Sequence, residues 1–217
     1  MATVYTERDV ARAETTGSLV EAAGGIAVVV LSIIGLTRTA PGILWSISVI
    51  ILGAAMLAEG GTIAAEFSRL YSMASGGMSA SEVGGGMMTE IFVGAAVLVL
   101  GILAIIGIVP ATLIAVAVIA TGAMMLLTAG GTQRMNEVRV TSSSASEPAQ
   151  SLVAAAGRGA AGFQILAAIA AVVLGIIALS TAGVSMHLLQ VALLVLGASI
   201  ALGSTVVTGS TMRFLAR

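Results

Sequence analysis

One apolar hairpin is written three times in this chain, and that repeat constrains the fold more than any other feature. In the first copy an apolar run, Ala22 to Leu36, meets a short polar break from Thr37 to Pro41. A second run, Gly42 to Ala58, then ends at Glu59-Gly60-Gly61-Thr62. Sliding the chain by 69 positions lays Glu21 on Glu90, Pro41 on Pro110, Gly53-Ala54 on Gly122-Ala123 and Met56 on Met125. A further slide of 74 to 75 lays Glu90 on Gln164, Leu100-Gly101 on Leu174-Gly175 and Gly122-Ala123 on Gly197-Ala198. Gly60-Gly61-Thr62, Gly130-Gly131-Thr132 and Gly203-Ser204-Thr205 close the copies. In the third copy Val184 stands where Pro is expected, so a differently shaped turn is expected there.

Each copy supplies two apolar runs: Leu19–Leu36, Gly42–Ala58, Ile91–Val109, Ala111–Thr128, Phe163–Leu179 and Met186–Val206. A bilayer core of roughly 30 Å needs about 20 helical residues, so each run is long enough to span. The runs lack the polar residue at every second position that barrel strands show, and in lipid a helix satisfies its own backbone. Only 9% of residues are charged and mean hydropathy is +1.12. The expected fold is all-α: an integral membrane bundle of six transmembrane helices built as three repeated hairpins, set about a pseudo-threefold axis. Residues 1–18 read as a cytoplasmic arm, either a short interfacial helix or a frayed tail. Hairpins are expected at 19–73, 89–140 and 158–217. A Gly/Met/Ser loop at 74–88 and a Ser-rich linker at 141–157 separate them, as spacers or as partner-docking segments. Residues 1 to 18 are polar, so no cleavable leader is expected.

Arg8, Arg12, Arg69, Arg134, Arg139, Arg158, Arg213 and Arg217 fall on the face that bears both termini and the long connections, and Arg38 alone on the other. This bias predicts a multi-pass protein of the cytoplasmic membrane with both termini inside. Trp45 is expected as an outer interfacial anchor, with Phe67, Tyr71, Phe92, Phe163 and Phe214 in an inner belt. The net charge of −1 gives no bulk attraction to nucleic acid. The partners expected are the lipid bilayer and either a second copy or another membrane protein. No cofactor is expected. The absence of Cys excludes disulfides, thiolate metal sites and Cys nucleophiles.

The candidate site is polar and shallow. Glu21, Glu90 and Gln164 share one repeat position about a turn inside the cytoplasmic edge, and Glu59 counts to a similar depth. Ionisable groups within spans are costly and often functional, and such a cluster suits proton uptake. Two other readings stand beside it: carboxylates capping helix ends at the headgroups, where the macrodipole favours anions, and ion coordination. Glu66 and Arg69 have the spacing of a solvated helix pair. His187, the single His, reads as an interfacial residue at a helix start, with titration in an acidic exterior as the alternative. Met73, Met78, Met87 and Met88 follow no copper-ligand pattern and no His supports them, so no metal is expected. Gly25, Gly53, Gly94, Gly101, Gly122, Gly175 and Gly197 are expected to let helix backbones approach closely, leaving little room for a wide pore.

Gly94, Leu100-Gly101-Ile102, Pro110 and Gly122-Ala123, with Gly25, Pro41 and Gly53-Ala54 in the first copy, form a pattern that resembles the HdeD-type acid-resistance membrane proteins. The resemblance covers roughly residues 19 to 210. The missing third Pro and the Ser-rich linker depart from the pattern. It implies three hairpins in an inner membrane and a part in acid or general stress, with no catalytic residue to carry over. Two functions are therefore expected: a non-enzymatic stress or scaffolding role through helix packing and oligomer contacts, or a proton- or ion-linked channel or transporter using the carboxylates.

Overall fold

The computed structural model describes the backbone of residues 7–37, 41–73, 80–142, 147–181 and 184–215, and side chains over 17–37, 42–61, 89–128, 155, 159–181 and 184–204. Six helices follow in order: α1 (Glu7–Leu36), α2 (Pro41–Met73), α3 (Ala80–Ile105), α4 (Pro110–Ser142), α5 (Glu147–Ser180) and α6 (Met186–Leu215). No strand occurs among the described residues. Five helices are long and apolar enough to cross a membrane, and α3 carries a shorter apolar stretch, Thr89–Ile105. The protein is a multi-pass membrane protein built as a helical bundle.

Local chemistry sets the tight ends. Pro41 and Pro110 open α2 and α4, where the missing N–H has no intrahelical partner to lose. The end of α3 is set by Gly107, at φ +92°. There Ile108 N–H donates to Leu103 O at 3.2 Å and Gly107 N–H to Ala104 O at 3.1 Å, the paired bonds of a Schellman cap. The apolar run expected to Val109 therefore stops being helical at Ile105, a turn early. The third turn has no Pro. Ser185 accepts the first backbone bond of α6, from Leu189 N–H at 3.3 Å.

The opposite ends run longer than expected. Residues 80–88, expected as loop, are the start of α3, and residues 147–157 of the expected linker are the start of α5. Residues 7–18 belong to α1 rather than to a frayed tail. Once a span fixes a helix, each added residue gains a backbone bond without a new nucleus, and this outweighs the poor propensity of Gly84-Gly85-Gly86. The side chains of Glu66, Phe67, Arg69, Tyr71, Met73, Met87, Met88 and Phe214, and all of Met78, lie outside the described residues.

The helices pack as a closed ring with a filled centre. Helices α2, α4 and α6 touch one another, while α1 touches only α2 and α6, α3 only α2 and α4, and α5 only α4 and α6. The spans of α2, α4 and α6 are each 44% buried, against 22% for α1 and 28% for α5, so the inner and outer trios are distinct. Repeat-equivalent side chains line the centre in layers: Trp45, Ile114 and Leu189; Val49, Val118 and Leu193; Leu52, Thr121 and Leu196; Met56, Met125 and Ile200, all buried. Successive layers are spaced four and three residues apart, the seam of left-handed helix packing. The Thr121 hydroxyl reaches Met56 Sδ at 3.7 Å across this centre. Trp45 is thus a core residue and not an interfacial anchor: its repeat position points inward. Outward, Ile26, Ile33, Phe92, Val99, Leu127 and Leu166 are exposed, the surface a bilayer covers.

Contacts between repeats are more extensive than those within hairpins. At each such seam a small residue admits the neighbouring backbone. A Cβ on Gly53 would lie 2.5 Å from Leu98 N and 2.9 Å from Gly94 O; one on Gly122, 2.8 Å from Ala168 O; one on Gly197, 2.9 Å from Gly25 O. Gly25, Gly94 and Ala168 are one repeat position, and so are Gly53, Gly122 and Gly197. Gly101 and Gly175 likewise admit Ile50 and Ile119. Gly53→Ala and Gly25→Ala should therefore each destabilise the bundle by about 1–3 kcal/mol, whereas Gly42→Ala and Gly203→Ala, with nothing within 4 Å, should be nearly neutral. Unfolding in nanodiscs reads both.

Candidate functional site

Helices α1, α3 and α5 each press one face into the bundle. On α3 that face runs Glu90, Gly94, Val97, Gly101 and Ala104, all buried. Glu21 and Gln164 occupy the Glu90 position of α1 and α5. Glu90 is only 4% exposed, and Glu21, Glu59 and Gln164 are half-buried.

Glu59 stands three residues beyond Met56 on the inward seam of α2, so it continues the central layers toward the end where the chain termini lie. Helix α2 lies between α1 and α3, which brings Glu21 and Glu90 to either side of Glu59. Each of the three carboxyl groups is close enough to the other two for direct charge–charge interaction. Gly60 supports this approach: a Cβ there would meet Ile91 Cγ1 at 2.9 Å and Glu90 Cβ at 3.6 Å. Gln164 is elsewhere. Its helix packs only on α4 and α6, across the bundle from the three glutamates.

The helix dipole does not account for these carboxylates. Glu21 lies fourteen residues inside α1 and Glu90 ten inside α3, whereas the dipole acts within the first turn. The opposite end of the bundle holds a second polar grouping that the sequence reading passed over. Ser32 Oγ, Trp45 Nε1 and both amide atoms of Gln190 are buried without a hydrogen-bond partner. Repeat register could have found it, because Gln190 falls where the other copies have Ser46 and Ala115. His187 is exposed at the second residue of α6.

No family model, no curated protein and no solved structure matches the chain.

Glu90→Gln keeps the shape of the side chain and removes one of three neighbouring like charges. Thermal stability in nanodiscs should rise by about 1 kcal/mol at alkaline pH, where the three carboxyl groups are ionised together. A fall would mean that Glu90 is held by a favourable partner instead.

Proposed function

We propose that this is a non-enzymatic membrane protein whose working residues are Glu21, Glu59 and Glu90, and that they load protons from the side on which the chain termini emerge. The convergence of three glutamates from three helices, just inside the apolar stretches of those helices, carries the reading. Carboxylates inside a bundle are expensive and are retained where a proton is handled. Proton delivery relieves their mutual repulsion. Among the described residues no three acidic or histidine side chains close to metal-ligand spacing, which favours a proton over a multivalent ion. The excess of Arg on the terminal side makes that side cytoplasmic under the positive-inside rule, and the HdeD-like hairpin pattern agrees with an acid-stress role in an inner membrane.

The filled centre favours a second reading. Four layers of packed side chains leave no wide pore, so a stress-protective or scaffolding role through packing and partner contacts stands if protons do not cross.

The two separate in liposomes carrying an internal pH dye. After an external acid jump the proton-linked reading expects acidification faster than in empty liposomes, and its loss in the Glu21→Gln, Glu90→Gln double variant. A wild-type trace equal to that of empty liposomes would remove the proton reading and leave the packed scaffold.

A further inference from the structure

The three seams between repeats are equivalent by position but not by chemistry. Where α1 meets α2 and α6, near the end bearing the tight turns, the equivalent positions hold Ser32, Gly35, Trp45 and Gln190. Where α3 meets α4 and α2 they hold Gly101, Ala104, Ile114 and Ser46. Where α5 meets α6 and α4 they hold Gly175, Ala178, Leu189 and Ala115. The third set is wholly apolar. The second has one hydroxyl, Ser46, which donates to Gly42 O at 3.2 Å within its own helix. Only the first set carries polar groups left without partners.

Among the described residues five buried side-chain atoms lack a partner, and four of them are Ser32 Oγ, Trp45 Nε1, Gln190 Nε2 and Gln190 Oε1. Their residues are 1%, 9% and 1% exposed, so water outside the bundle does not reach them. Gly35 shows how they converge. A Cβ built there would overlap Gln190 Nε2 outright and would lie 3.1 Å from Trp45 Nε1. Both nitrogens therefore lie beside one spot on the α1 backbone, where only glycine leaves room for the Gln190 amide. The other two seams have Ala104 and Ala178 there. Ser32 lies one turn earlier on the same face of α1. Unlike Ser46 and Ser48, it makes no bond to its own helix.

The chemistry of these groups selects the ligand. Trp45 Nε1 only donates, and the Gln190 amide both donates and accepts in either orientation. None of the four residues is charged. A primary amide sets a donor and an acceptor side by side, and its complement is an uncharged group with an acceptor beside a donor. We propose that the α1–α2–α6 seam is a binding site for a small uncharged molecule bearing a carboxamide or a protonated carboxyl group. The ligand carbonyl accepts from Gln190 Nε2 and Trp45 Nε1, and its N–H or O–H donates to Gln190 Oε1. The site is independent of the carboxylate cluster: on α1 it lies eleven to fourteen residues from Glu21, roughly 20 Å along the helix.

Trp45 is the only tryptophan in the chain, so its emission reports this site alone. The full chain in nanodiscs is titrated with acetamide, with acetic acid below its pKa, and with acetate at neutral pH. A saturable emission shift with acetamide and acetic acid, and none with acetate, is expected. A response to only one of the two identifies the headgroup. Gln190→Met keeps the length of the side chain and should raise the midpoint by about tenfold or more. Gly35→Ala with Gln190→Ala rebuilds the Ala178 and Ala115 pairing of the third seam, so it should fold and give no response. No saturable shift in the wild type, which means that the groups hold water only, would overturn the proposal. An equal shift in Gln190→Met, which means partition into lipid, would overturn it too.

Discussion

The backbones of neighbouring repeats touch at small residues on every seam, and the rest of the bundle is arranged around those contacts. In lipid, apolar area does not drive helices together, because the tails are as apolar as leucine. Association depends on close van der Waals fit. Gly25 against Gly197, Gly53 against Gly94, and Gly122 against Ala168 provide that fit at equivalent heights. Each contact draws an outer helix of one repeat onto the inner helix of the preceding one. With the last repeat closing on the first, the ring has no free edge. Within it the inner helices are close enough to fill the centre in layers from Trp45 to Ile200.

Equivalent packing makes the departures from equivalence informative. The carboxylate position is Glu in the first two repeats and Gln in the third, and Glu59 has Thr128 and Gly203 as its counterparts. The acidic groups therefore gather on one side of the bundle, around α2, instead of forming a ring of three. The unpartnered Trp45, Ser32 and Gln190 gather at the other end and at a different seam, the one that closes α6 onto α1. A threefold scaffold thus presents two asymmetric polar places, one at each end.

Much of this was legible in the residues. The apolar runs and their repeat gave the helix number and hairpin pairing, and Pro41 and Pro110 marked two helix starts because proline is suited to a first turn. The close-approach glycines were readable from the same register. What escaped notice had local physical causes. Gly107 was hidden inside a continuous apolar run, where only its φ of +92° reveals a stop. Gly84-Gly85-Gly86 suggested a loop by propensity, but a helix already formed by its span extends through them. Trp45 suggested an interface by residue type, whereas its register with Ile114 and Leu189 places it in the core. The distance of Gln164 from the three glutamates follows from ring order: α5 and α2 lie on opposite sides of the bundle, a relation that hairpin pairing alone does not give.

Closure of the ring, the α6–α1 seam, is the claim on which the layers and both polar places depend. The chain has no Cys, so a pair can be introduced without background. A Cβ on Gly197 lies 3.0 Å from Val28 Cβ, a little under the usual disulfide spacing of about 3.8 Å. Oxidising the Val28→Cys, Gly197→Cys double variant in membranes should form a bond within one chain. The product should run as a monomer and resist thiol labelling, and the Met56→Cys, Gly94→Cys pair at the α2–α3 seam should behave alike. If the second pair bonds within the chain while the first stays free, or bonds only between chains, the ring is open and this account is wrong.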